Sequence, residues 1–357
     1  MRFKVSGNFQ NSMRVLFSWI SRISWKCLAT ILFLLLFSCK AADKSMPEHF
    51  RRVSQVIWVV DDLDKVIHGW AELGFSSVAD MDTLNATPSS TGDPFQVRMA
   101  MANLGGANIT WIQPLEEGSV FARFHSDYGD GAMALVHHLE DEDALEREMN
   151  RLGELGVSLL ERISIPADEG TVEYVLMNTL PGGKYVLGYT WGDADDVFFR
   201  DLDPDNLHHL KLNQYAFAIR EAEPVSEFWE KLGQPAFAIN YPELGNMHYY
   251  GEPTDHELIQ GWQKHGTIAY EWCIPVKNPI VYDDHIRKHG EGIHHLAFSV
   301  KDMDAALADY ASKGYRNSMG GTWGETGKPG SGRYEYIDLD DAGGVTMELL
   351  WNYQEGT

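Results

Sequence analysis

Cysteine is nearly missing from this chain: Cys27, Cys39 and Cys273 are the only three in 357 residues. That excludes a disulfide framework, so any core must hold by packing alone. Positive charge is scarce too, with 29 Lys and Arg against 52 Asp and Glu and a net charge of −23. A surface this acidic repels phosphate backbones, which argues against nucleic acid as a partner. Long hydrophobic runs are also lacking. The apolar stretch 28–37 falls well short of the roughly 20 residues that a membrane-spanning helix needs. What is present is 44% hydrophobic and 12% aromatic composition, enough for two domains with cores of ordinary size.

The N-terminus stands apart. Residues 1–38 carry Arg2, Lys4, Arg14, Arg22 and Lys26 but no acid, and then the apolar run. A basic segment followed by a short apolar one reads as a secretion signal. It ends in Leu36-Phe37-Ser38-Cys39, which resembles the bacterial lipobox, with Cys39 as the lipidated new N-terminus. The expectation is a signal peptide over 1–38 and a tether over 39–50. The globular part would then lie in the cell envelope, outside the cytoplasm, held to the membrane by lipid on Cys39. A retained signal anchor is the alternative.

The rest is repetitive. Four segments each read as a strand, an amphipathic helix and a glycine stop: 54–60 with 63–73 and Gly74; 132–139 with 144–155 and Gly156; 213–219 with 224–232 and Gly233; 294–300 with 303–313 and Gly314. Apolar residues recur at helical spacing, as in Leu63, Val66, Ile67, Trp70 and Leu73. Each glycine can take the left-handed conformation that closes a helix. Strand-like sequence with turn signals follows each helix, including Gly105-Gly106, Pro181-Gly182-Gly183 and Gly343-Gly344. Trp111, Pro114, Gly131 and Gly182-Gly183 recur as Trp272, Pro275, Gly292 and Gly343-Gly344 at one offset of 161. The fold class expected is α+β, with four βαβββ modules in two halves, 51–192 and 209–357, joined by an acidic linker over 193–208.

The segment 288–300, Lys-His-Gly-Glu-Gly-Ile-His-His-Leu-Ala-Phe-Ser-Val, resembles the opening of the second module in vicinal oxygen chelate proteins, the glyoxalase, bleomycin-resistance and dioxygenase superfamily. Residues 334–351 resemble that superfamily's terminal strand pair. The resemblance implies two glyoxalase-like domains of paired modules, and a metal held by Gln214, Glu271, His295 and Glu348. One divalent ion is expected there, Zn²⁺ first, with Ni²⁺, Co²⁺ or Mn²⁺ as alternatives. Strand alternation supports His295 over His294 independently. His295 shares its face with the small Ala297 and Ser299, whereas His294 lies with Leu296, Phe298 and Val300. Glu348, alone among apolar neighbours, is costly to bury without a cation.

The first half does not repeat this set. Its matching positions read as Gln55, Thr110, Ala134 and Leu187, which cannot hold a divalent ion. The function implied is a metal-dependent glyoxalase-type lyase or isomerase acting on a small molecule. It would abstract an α-proton beside a metal-chelated oxygen, with Glu348 as base and Glu271 opposing it. Cys273 reads as a buried thiol. Glutathione is disfavoured, because Ala218 stands where glutathione-using relatives carry Arg. A metal-free binding lipoprotein and a dioxygenase of the same fold are the competing readings. The chain is expected to be a monomer or homodimer.

Overall fold

The computed structural model describes residues 46–167 and 170–353. The expected signal segment and the lipidation site Cys39 lie outside the described residues. No helix among the described residues is long and apolar enough to cross a membrane.

The first unit runs β1 (Gln55–Val59), α1 (Leu63–Glu72), β2 (Val78–Pro88), β3 (Phe95–Leu104) and β4 (Ala107–Pro114). Helix α2 (Val120–Tyr128) leads to the second: β5 (Gly131–Leu139), α3 (Glu142–Glu154), β6 (Leu159–Ala167), β7 (Gly170–Met177), the one-turn α4 (Leu180–Gly183) and β8 (Val186–Trp191). Helix α5 (Ala194–Phe199) follows. The third unit is β9 (Lys211–Ala218), α6 (Ala222–Lys231), β10 (Ala238–Asn240), β11 (Leu244–Tyr249), β12 (Glu252–Pro253), β13 (Glu257–His265) and β14 (Ile268–Lys277). Helix α7 (Val281–His289) leads to the fourth: β15 (Gly292–Ser299), α8 (Met303–Ser312), β16 (Asn317–Trp323), β17 (Gly332–Ile337) and β18 (Thr346–Asn352).

Local chemistry starts and stops these elements. Asp62, Asp141 and Asp302 cap α1, α3 and α8 by accepting from the backbone N–H of Lys65, Ala144 and Ala305, which satisfies a donor the helix cannot. The four stop glycines have φ of 103°, 83°, 99° and 93°, a region that favours glycine.

The two halves close differently. In the first, the strand order β1-β4-β3-β2-β6-β7-β8-β5 forms a closed barrel, sealed where Thr87 and Pro88 pair with Ser164 and Ile163. Ile57, Met99, Met133, Val136, Tyr174 and Val186 fill its inside. The acidic segment after β8 joins them, because Phe198 and Phe199 of α5 are buried in the same cluster. In the second half the sheet stays open, in the order β10-β13-β14-β9-β15-β18-β17-β16-β11-β12. The third unit has two extra strands. Its β11 leaves that unit and pairs with β16 of the fourth, so the contact that would seal the barrel is not made.

The halves share one large core between them. Trp70 of α1 donates to the carbonyl of Ala342 at 3.2 Å, and Trp229 of α6 donates to Gly183 at 3.0 Å. The glycines at these loops are packing requirements as much as turns. A Cβ on Gly182 or Gly183 would run into the rings of Phe228 and Trp229, and one on Gly344 into the backbone at Asp130. Residues just before β1 dock here as well, with Phe50 fully buried and its carbonyl 2.9 Å from His265 Nδ1.

Candidate metal centre

The four side chains singled out in the second half come together. Gln214 lies on β9, Glu271 on β14, His295 on β15 and Glu348 on β18, four adjacent strands of the open sheet. All four are buried, none more than 4% exposed. One potential ligand atom each from Glu271, His295 and Glu348 lies within 4.8 Å of the others. His295 Nε2 is 3.2 Å from Glu348 Oε2 and 3.6 Å from Glu271 Oε2, yet neither approach has hydrogen-bond geometry. An imidazole nitrogen aimed between two buried carboxylates without a directional bond is what a cation's ligands look like. The donor set, one nitrogen and several oxygens, suits Zn²⁺ or its first-row neighbours.

Burial and charge act against each other here. Burial alone would depress His295, but the two carboxylates outweigh it and hold its pKa up at about 9. Burial raises Glu348 despite the opposing pull of His295. Two carboxylates this close, removed from water, are costly unless a positive charge lies between them.

Gln214 presents its amide nitrogen to both carboxylates, at 2.6 Å from Glu271 Oε2 and 3.3 Å from Glu348 Oε2. To serve as a ligand it has to turn its oxygen inward. The other oxygen of Glu271 accepts from Gln260 Nε2 at 2.6 Å. Gln260 on β13 was missed in the sequence. The signal was faint: it sits two residues before Trp262 on an alternating strand.

His294 departs from the alternation. The pairing of β15 with β9 slips between Ile293 and His295, a bulge that lets both histidines leave the packing face. His294 Nδ1 lies 2.7 Å from His295 Nδ1 and its ring meets those of Tyr282 and His285. Burial and neighbouring histidines hold His294 far below its ordinary pKa. It orients His295 rather than joining the ligand cluster. Cys273 is fully buried, and burial followed by the nearby carboxylates raises its thiol pKa well above normal, as befits an inert thiol.

The first half lacks these groups, with one correction. Gln55, Thr110 and Ala134 do occupy the positions of Gln214, Glu271 and His295, since Ile57 pairs with both Thr110 and Ala134 as Ala216 pairs with Glu271 and His295. The fourth position is Gly188, not Leu187. Val136 pairs with Gly188 as Ala297 pairs with Glu348. The stretch from β5 to β7 is one residue longer than that from β15 to β17, while Leu176 and Gly188 stand as far apart along the chain as Tyr336 and Glu348. Leu187 points outward into the shared core. Even a Cβ at Gly188 would meet Val136 at 2.9 Å. Gln55 accepts instead from Thr110 and Tyr174 at 3.1 and 2.8 Å.

Residues 213–332 match the family described as the Glyoxalase/Bleomycin resistance protein/Dioxygenase superfamily. That match covers most of the second half of this chain and none of the first. No curated protein matches the sequence. Among solved structures, a triple mutant of 4-hydroxymandelate synthase from Streptomyces coelicolor is similar over 85% of this chain and 93% of its own, with 14% identity and a TM-score of 0.55. That likeness establishes the fold alone. A Mn(II)-bound glyoxalase from Novosphingobium aromaticivorans is more distant, at 12% identity, 85% and 83% coverage and a TM-score of 0.44. Across the superfamily's vicinal oxygen chelate fold, modules pair as they do within each half here.

Proposed function

We propose that this protein is a metal-dependent lyase or isomerase of the glyoxalase type, which removes a proton from a carbon next to an oxygen held at the centre. The observation that carries this reading is the convergence of Glu271, His295 and Glu348, buried within 4.8 Å of one another, with Glu271 and Glu348 lining a cleft. A bound divalent ion would supply Lewis acidity, drawing charge onto the substrate oxygen so that the neighbouring C–H becomes acidic. Glu271, His295 and Glu348 would hold that ion, with Gln214 a fourth ligand once its amide is turned. The two carboxylates then divide the work. Glu271 keeps its outer oxygen tied to Gln260 Nε2 at 2.6 Å whether or not Gln214 turns, which suits a fixed ligand. Glu348, whose pKa burial raises, suits a group that takes a proton at a carboxylate oxygen and returns it. The buried hydroxyls of Tyr282 and Tyr336, 2.7 Å apart, close one side of the cleft to water. One imidazole with two carboxylates also differs from the two imidazoles and one carboxylate that iron oxygenases favour. Export and anchoring through Cys39 belong to the same proposal.

The test is elemental analysis of protein purified without chelators, beside His295→Ala and Glu348→Ala. About one transition metal per chain, lost in both variants, is the expected result. A parent that takes up no metal even on reconstitution would overturn the reading and favour a binding lipoprotein.

A further inference from the structure

The walls of the cleft restrict what can reach this centre, an argument that rests on the metal reading above. The cleft has a volume of about 630 Å³, within the range of small-molecule sites. No Lys or Arg is among the described residues that line it. Its charged groups are Glu243 at the rim with Glu271 and Glu348 at the floor. A divalent ion between the latter two cancels their charge and leaves none to attract an anion, while Glu243 repels one. His256, the lining imidazole, is held below its ordinary pKa by burial and then by His248, so it does not supply the missing cation near neutral pH.

What the walls do offer is flat rings and carboxamides. Trp262 on β13 and Trp323 on β16 stand toward opposite ends of the sheet order, and both line the cleft, as does Tyr334. Asn213, Asn240 and Asn352 line it as well. Asn213 and Asn240 each give an amide N–H within the protein, to Ser299 at 3.1 Å and to Gln260 at 2.7 Å, which leaves each a second N–H and its oxygen. Rings that cover C–H surface, alternating with groups that both give and accept hydrogen bonds, match a saturated ring bearing hydroxyls.

We propose that the cleft takes an uncharged, hydroxyl-rich ring, a neutral sugar or sugar-like polyol, stacked on Trp262 and Trp323 with neighbouring oxygens directed at Glu271, His295 and Glu348. A neutral sugar carrying a ketone satisfies both this and the proton-abstraction reading, because its α C–H lies beside two adjacent oxygens. The class of reaction that supplies it is then the oxidation of a sugar hydroxyl.

Binding to the full chain, with its metal content measured first, is followed by calorimetry and tryptophan fluorescence. The probes share one scaffold and differ in charge: glucose and xylose as neutral members, glucuronate as anion, glucosamine as cation. A neutral member binding about tenfold or more tighter than either charged one is expected. Trp262→Ala and Trp323→Ala should each weaken it by about tenfold with metal content unchanged, and Asn352→Arg should raise glucuronate affinity. Equal or tighter binding of a charged member overturns the proposal, as does no neutral binding up to roughly 100 mM. The same titration without metal separates the two readings. A neutral preference in protein that never loads metal sinks the metal centre and keeps the sugar site, and a loaded protein that prefers glucuronate does the reverse.

Discussion

At the scale of single residues, the proposed centre leans on side chains outside the proposed ligand set. Gln260 takes one oxygen of Glu271 and His294 takes one nitrogen of His295, and such supports fix both the direction and the basicity of a ligand. Replacing Gln260 with Leu keeps its bulk and removes the donor. Metal affinity is expected to fall roughly 10- to 100-fold, read by chelator competition, while the thermal midpoint barely moves. A loss of fold instead of affinity would mean that Gln260 is a packing residue. Alternation alone could not reveal His294's role, because one bulge changes which way two consecutive side chains face.

At the scale of elements, the β11–β12 hairpin distinguishes the open half from the closed one. It is pinned at the back of the sheet, where Glu335 Oε2 accepts from His248 at 2.9 Å and from Asn317 at 2.6 Å. Glycine at position 320 leaves room for this contact, since a Cβ there would overlap both Glu335 and His248. Gly320→Ala should therefore push the hairpin off β16 at a cost of about 1–3 kcal/mol, as overpacking does. Hydrogen exchange would show faster amide exchange over β11 with β14 and β15 unchanged. Protection equal to the parent's would show that the hairpin is held by other contacts.

At the scale of the whole molecule, the halves are joined by more than apolar surface. Arg151 donates twice to Glu148, at 2.7 and 2.6 Å, and once across the junction to the carbonyl of Leu232 at 3.0 Å. Burial would raise the pKa of Glu148, but Arg151 and His49 outweigh it and bring it down to about 2 from 4.5. A carboxylate depressed in the folded state stabilises above its unfolded pKa and loses that stabilisation as pH falls through the folded value. Stability should thus drop between about pH 4.5 and 2, with up to about 3 kcal/mol traceable to this group. Urea unfolding across that range should give a shallower decline for Glu148→Gln than for the parent. Identical slopes would remove Glu148 from the account.

How much of this was legible beforehand follows from the range of each interaction. Helical periodicity, the glycine stops and the offset of 161 are local or repeated signals, so the four modules and their pairing could be read along the chain. Gln214, Glu271, His295 and Glu348 came instead from the resemblance of 288–300 and 334–351 to the superfamily, with strand alternation supporting His295. One residue more between β5 and β7 made Leu187 look like the counterpart of Glu348 until the strand pairing showed Gly188 there. The burial of Phe198 and Phe199 within an acidic stretch, the glycines that admit Phe228 and Trp229, and the hairpin that holds one barrel open carry no such signal. Each depends on which distant segment arrives beside it. The sequence by itself determined the modules and which side chains share a strand or helix face, because the strand and helix periods dictate that. Only the tertiary structure decided that one half closes around an apolar core while the other stays open as a cleft, because closure turns on whether β2 meets β6 or β11 takes the place beside β16.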